Sequence, residues 1–351
     1  MRDTLAALSG LDGVGGHEKT VRAYINEAVK PFAEETREDV LGNLFVRVKG
    51  EKTPRRSIVL AAPMDEYGFV AGRVEESGAI SFGARMDNMD PKALIGKRFR
   101  VEITEENREK PVRGVISVVA QHLTGKAGTD ETPELKDLTL DVGAKNKDGG
   151  AAAVKEGDGI VFDYPFSDFG EGFYRGKAVD ARLGAAVLLK LIRDVKPLYD
   201  AWFLFTAYSK IEHRGALVAA RALDPAVALV VDAAAAGDVP IQDKELASCY
   251  VGRGAVLGLK EYGTIYSRSL REAIAKAAAG KGIKVQYRSG MRGETDAGNL
   301  HTAASGAKIA GLGAAVRYAG TGNPIVHRDD LAAVYETAKL LLNGGFLNEL
   351  V

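Results

Sequence analysis

Acidic and polar residues gather where apolar runs stop. Asp65 and Glu66 follow Ser57-Ile58-Val59-Leu60-Ala61-Ala62-Pro63-Met64, Ser209 and Lys210 follow Trp202 to Tyr208, and Asp232 follows Ala226 to Val231. Asp180 is a fourth candidate, in the turn before an apolar helical pattern. Converging carboxylates suit metal ligation or general acid–base work, and Asp180 and Asp232 equally suit helix or turn caps. Placement favours chemistry, because open α/β sheets collect ligands outside the carboxyl ends of their strands. Ser209 beside Lys210 has the residue types of a Ser-Lys nucleophile; neighbours on a strand, however, point to opposite faces.

The elements that must hold these residues can be read from periodicity. Val21, Tyr24, Ile25, Ala28 and Val29 are spaced for a helix over 17–32, and 43–48 alternates as a strand. The run 57–62 is continuously apolar, as expected of a strand covered on both faces, with Pro63 closing it. Helix 183–195, strand 202–207, helix 214–223 and strand 226–232 follow in alternation, then a helix from an N-cap at Ser267 to Gly280, a strand 283–288 and a last helix 329–342. This rhythm predicts an α/β fold with a doubly wound, mostly parallel sheet. Between 67 and 168 the texture shifts to short alternating segments separated by Gly, Asp, Asn and Lys clusters, which predicts an inserted β-rich, barrel-like domain. The α/β domain is then discontinuous, comprising 1–66 and 169–351.

Composition narrows the function classes. Lys+Arg and Asp+Glu are 47 each in 351 residues, so no net field favours nucleic acid or an anionic membrane. The single cysteine, Cys249, excludes an internal disulfide and a cysteine-based zinc cluster, which fits a cytoplasmic location. No apolar stretch approaches the ~20 residues of a membrane span.

The segments GNL (42–44), MDEYGF (64–69), MDPKALIGKRFRV (89–101), LKDLTLDVGA (135–144), EGDGIVFD (156–163), GKAVDARLGAAVLL (176–189), FTAYSKIEHRGA (205–216), VVDAAAAGDVP (230–240), TDAGNL (295–300) and RYAGTGNP (317–324) occur in one order along nearly the whole chain. In this order they resemble the TET-type metalloaminopeptidases, peptidase family 42, whose members carry glutamyl or deblocking aminopeptidase labels and sometimes an endoglucanase label. The resemblance implies a zinc-peptidase α/β domain with an inserted β domain, dimers built through the insert and, in many members, a hollow dodecamer. It also implies two divalent metals sharing a bridging aspartate, with an open position and a base.

Carried over by position, Asp180 matches the bridging aspartate, Asp232 a terminal ligand, and Asp65 the carboxylate that orients the first histidine. Pro63 stands where the resemblance implies that histidine, Ser209 where it implies the catalytic glutamate, Lys210 where it implies the following ligand, and Gly320 where it implies the last histidine. Three of five ligands and the base are thereby replaced. The expectation is no cofactor, or at most a weakly bound Zn, Co, Mn or Mg at Asp180 and Asp232. Lys210 is expected to neutralise those two aspartates, as a metal would.

Two functions follow. The first is a catalytically silent homologue, a homo-oligomeric assembly protein or a binder of peptides or small molecules. The second is an enzyme: an aminopeptidase with a metal site rebuilt from Glu212, His213, His327 and the aspartates, or a hydrolase of another bond, such as a glycosidase using Asp180 and Asp232. His122 is read as structural, and His17 and His301 are given no role.

Overall fold

Strand Ser57–Pro63 is buried along nearly its whole length because it lies between two parallel neighbours, Ala201–Thr206 and Pro225–Ala235. A fourth parallel strand, Lys308–Arg317, continues the sheet beyond Pro225–Ala235. The apolar run therefore occupies the centre of the sheet, as its composition requires. The computed structural model describes residues 1–83, 89–104, 107–119, 133–240, 247–288, 293–344 and 347. Antiparallel pairings flank these four strands, including Leu44–Val48 against Ala201–Thr206 and Ile325–His327 against Lys308–Arg317.

Helices cover both faces, which makes the fold the expected α/β class. Helix Val179–Asp194 presses on one face, and Gly184 allows the approach: a Cβ there would lie 2.0 Å from the carbonyl oxygen of Val231. Helices Arg214–Leu223 and Ala297–Thr302 lie on the opposite face, over Phe45, Val59, Ala61, Leu204 and Val230. Register brings the strand ends level, with Thr206 opposite Pro63 and Asp232 opposite Gly313.

Six short strands between Gly68 and Phe162 close into an antiparallel barrel. Its interior is filled by a row of tilted rings, Phe82, Phe69, Phe99 and Phe162, with successive centroid distances of 4.5, 5.6 and 4.3 Å. Barrel and sheet meet across a network of buried charges. Arg100 of the barrel contacts Asp12 at 2.5 Å and Asp163 at 2.8 Å, while Lys177 contacts Asp12 at 3.1 Å and Glu66 at 2.7 Å. Arg182, wholly buried, adds a contact of 3.4 Å to Glu66. Each of these charges has an opposite partner, the condition under which buried ions are tolerated.

Candidate active site

The strand ends deliver Asp65, Ser209, Lys210 and Asp232 to one edge of the sheet, and the start of helix Val179–Asp194 delivers Asp180 beside them. Asp180 is the second residue of that helix rather than part of the preceding turn. Ser209 and Lys210 likewise lie in a turn, after the strand has ended at Thr206, so strand alternation does not govern where they point. The backbone here is constrained: Ala178, Tyr208, Glu212, His213 and Tyr318 all have φ between 52° and 59°. Non-glycine residues at positive φ cost on the order of 1–3 kcal/mol each and cluster at functional sites.

Lys210 occupies the centre. Its side chain is 8% exposed, and Nζ lies 3.8 Å from Asp232 Oδ2 and 5.3 Å from the centroid of the Tyr67 ring. Burial opposes the ammonium, yet the charge of Asp232, with further contributions from Tyr67 and Asp65, keeps the lysine well above its ordinary value. Burial raises Asp232 above the usual carboxylate range, against the pull of Lys210. Asp180 is also raised by burial; its Oδ2 accepts the Gly320 N–H at 2.7 Å and its Oδ1 the Ala181 N–H at 2.9 Å. The expected neutralisation of both aspartates is realised unequally: Asp232 forms the ion pair, whereas Asp180 is held by backbone donors and feels Lys210 only through its field.

Asp65 is fully buried, and its Oδ2 accepts the backbone N–H of Lys210 at 2.6 Å. Its Oδ1 has no hydrogen-bond partner among the described residues. Burial pushes this carboxyl up to about 7, and Lys210 only partly offsets the effect. Pro63, two residues before it, ends the strand without a polar side chain, so that position offers no imidazole for Asp65 to orient.

The other histidines disperse. His213 turns to Asp296, with Nδ1 and Oδ1 3.0 Å apart. Asp296 in turn accepts the Thr206 hydroxyl at 2.5 Å. Burial lowers His213, but Asp296 outweighs it and the imidazole is raised; burial raises Asp296, but His213 outweighs it and the carboxyl is lowered. Ser209 Oγ lies 3.5 Å from the same His213 Nδ1 that faces Asp296, so the imidazole cannot relay a proton between them as a triad does. Glu212 pairs with Arg214 at 2.8 Å, His327 packs edge-on against Phe173 and caps helix Arg328–Asn343, and His17 pairs with Glu102 at 2.7 Å. His301 lies on helix Ala297–Thr302, and His122 is outside the described residues. The metal group expected from Glu212, His213 and His327 is therefore not assembled: these side chains are committed to separate partners.

A cleft of about 250 Å³ opens over Tyr67, Asp180, Lys210, Asp232 and Gly320. Among the described residues no group of three or more His, Cys, Asp or Glu side chains is placed to hold a metal ion. Two carboxylates, one of them paired with an ammonium at 3.8 Å, do not fit a pair of divalent cations, which need several anionic or imidazole donors and no competing cation.

A family model for the M42 glutamyl aminopeptidases matches residues 42–337. The chain belongs to this family. Among its relatives is the glutamyl aminopeptidase of Lactococcus lactis, 26% identical over 337 residues, covering 93% of this chain and 92% of that protein. The TET aminopeptidase of a marine-sediment Thaumarchaeota archaeon superimposes with a TM-score of 0.92 at 26% identity, covering 99% of this chain and 98% of the other. The TET1 peptidase of Pyrococcus horikoshii, which can assemble into a tetrahedron or a large octahedral shell, superimposes with a TM-score of 0.83 at 26% identity over 97% and 99% of the two chains. Among the described residues, no helix of this M42 protein is long and apolar enough to cross a membrane.

Proposed function

We propose that this M42 member is a catalytically silent homologue, in which Lys210 takes the place of metal charge and the cleft binds a small ligand without cleaving it. The observation that carries this reading is the Lys210–Asp232 ion pair, 3.8 Å long and nearly closed to water. A divalent cation that drew on Asp180 and Asp232 would have to share Asp232 with an ammonium of like sign. Pro63 and Gly320 supply no side-chain donor to compensate, and Ser209 has no carboxylate with which to activate water. The strained turns around the site support a retained binding geometry, since such strain persists only where the surrounding structure over-determines it.

The likeness to the TET structures also supports a homo-oligomer, with the barrel available for dimer contacts and the dodecamer as the larger form. Metal analysis of the purified protein, combined with hydrolysis of aminoacyl-arylamides in added Zn²⁺, Co²⁺ or Mn²⁺, tests the reading of the site. The expected result is substoichiometric metal and no metal-dependent release of arylamine. Two tightly bound metals with metal-dependent turnover would refute it.

A further inference from the structure

Lys210 Nζ lines the cleft, yet its contacts among the described residues, Asp232 at 3.8 Å and the Tyr67 ring at 5.3 Å, are too long to be hydrogen bonds. The side chain is more than nine-tenths buried, and among the described residues its N–H donors meet no acceptor within hydrogen-bond distance. Facing it, Asp180 and Asp232 accept hydrogen bonds from the N–H groups of Gly320, Ala181 and Ala233 and retain further lone pairs. The cleft therefore offers donors and acceptors side by side to a ligand that enters it.

From this arrangement we propose that the cleft binds a neutral, hydroxyl-rich small molecule, through vicinal hydroxyls that accept from Lys210 and donate to Asp180 and Asp232. A hydroxyl both gives and takes a hydrogen bond, so two adjacent ones satisfy both sides at once. The lining carries both signs, Lys210 and Arg288 against Asp180, Asp232 and Glu294. A ligand with a single charge would gain one attraction and meet like charges close by, a repulsion that is strong in a site of low dielectric; a neutral polyol meets neither sign unfavourably. The size agrees: at about 250 Å³ the cleft falls below the ~300–1,000 Å³ range of drug-sized sites and suits a single sugar or cyclitol ring. Across Ala319 and Gly320 a second cavity, of about 480 Å³, is lined by Phe162, Tyr164 and Tyr318. That cavity takes an apolar substituent of the same ligand.

The inference rests on the proposal that the site binds without metal chemistry, and its test is independent of the turnover assay. Isothermal titration calorimetry at millimolar ligand would compare D-glucose, D-mannose, myo-inositol and phenyl β-D-glucoside with leucinamide as the cationic probe and succinate as the anionic one. Saturable binding of a neutral polyol is expected, tighter than that of either charged probe. Lys210→Met should weaken it by ~10-fold or more, the scale of a lost charge-assisted hydrogen bond. Asp232→Asn, which keeps volume, should also weaken it and covers the case in which Lys210→Met fails to fold. Binding of no neutral polyol, tighter binding of leucinamide or succinate, or unchanged or tighter polyol binding in a folded variant would overturn the inference. Metal-dependent arylamide turnover would instead refute catalytic silence, whatever the calorimetry shows.

Discussion

The ammonium of Lys210 stands 3.8 Å from the carboxylate of Asp232, with 8% and 11% of the two side chains exposed. Lys210→Glu would place a third acid beside Asp180 and Asp232 and remove the only ammonium that the described residues bring to them. A loss on the order of 3–5 kcal/mol is expected, as when a buried ion pair is broken. Added Mn²⁺ or Zn²⁺ should recover part of the lost melting temperature in the variant and little in the parent, because the new carboxylate makes a cation welcome. Thermal melts with and without metal check both halves; a variant as stable as the parent in chelator would contradict the role given to Lys210.

The His213–Asp296 pair gives stability a pH window. His213 is raised above its ordinary 6.5, so its contribution is complete below 6.5 and lost as pH rises through the folded value. Asp296 is lowered below 3.8, so its contribution is present above 3.8 and lost as pH falls through the folded value. The difference between parent and His213→Asn should therefore be largest at roughly pH 4–6.5, on the order of 1–3 kcal/mol, and shrink on either side. Asparagine is the apt replacement because residue 213 has φ 54°. Denaturant melts across pH 3.5–9 measure it, and a pH-independent difference would exclude the pair as the cause.

Asp65 should cost the fold stability as pH rises from 3.8 towards 7, where the unfolded carboxyl ionises before the folded one. Its folded value is raised from 3.8 to about 7, so the associated stability is present below 3.8 and is lost as pH rises through about 7. Asp65→Asn removes this dependence at the fixed cost of a buried amide. Relative to the parent, the variant should gain on the order of 2–4 kcal/mol between pH 5 and pH 8. A constant offset over that range would show that Asp65 stays ionised.

Much of this arrangement can be read in the chain, and the limits of that reading have physical causes. The central strand is legible because an apolar run buried on both faces leaves a continuous signature, and helix 214–223 because its periodicity is regular. Asp65, Asp180, Lys210 and Asp232 do meet at one edge, as strand ends require. The His213–Asp296–Thr206 chain is not legible: it depends on a turn with positive φ at Tyr208, Glu212 and His213, which no glycine announces. Asp296 lies within TDAGNL, and its place beside a histidine is the signal that segment holds. Tyr67 sits in MDEYGF, yet only the fold brings its ring under an ammonium.

Restoring the implied ligands together, as Pro63→His, Ser209→Glu, Lys210→Glu and Gly320→His, should yield a chain that binds Zn²⁺ yet is less stable than the parent without it. Gly320 has φ 78°, so a histidine there costs on the order of 1 kcal/mol in backbone strain alone. Zinc stoichiometry by elemental analysis, with melts in chelator, reads both effects; failure to take up metal while folded would show that the scaffold has moved beyond repair at these four positions.

The charge network between barrel and sheet governs how this protein can be cut apart. Asp12 and Lys177 lie outside the barrel, yet Asp12 balances Arg100 within it, and the contacts are buried. A version trimmed of the barrel would strand acids and bases that were sealed in pairs, and a barrel expressed alone would carry an Arg100 with half of its partners gone. The two units are fused electrically as well as covalently, so a soluble fragment of either calls for neutral replacements at these positions first.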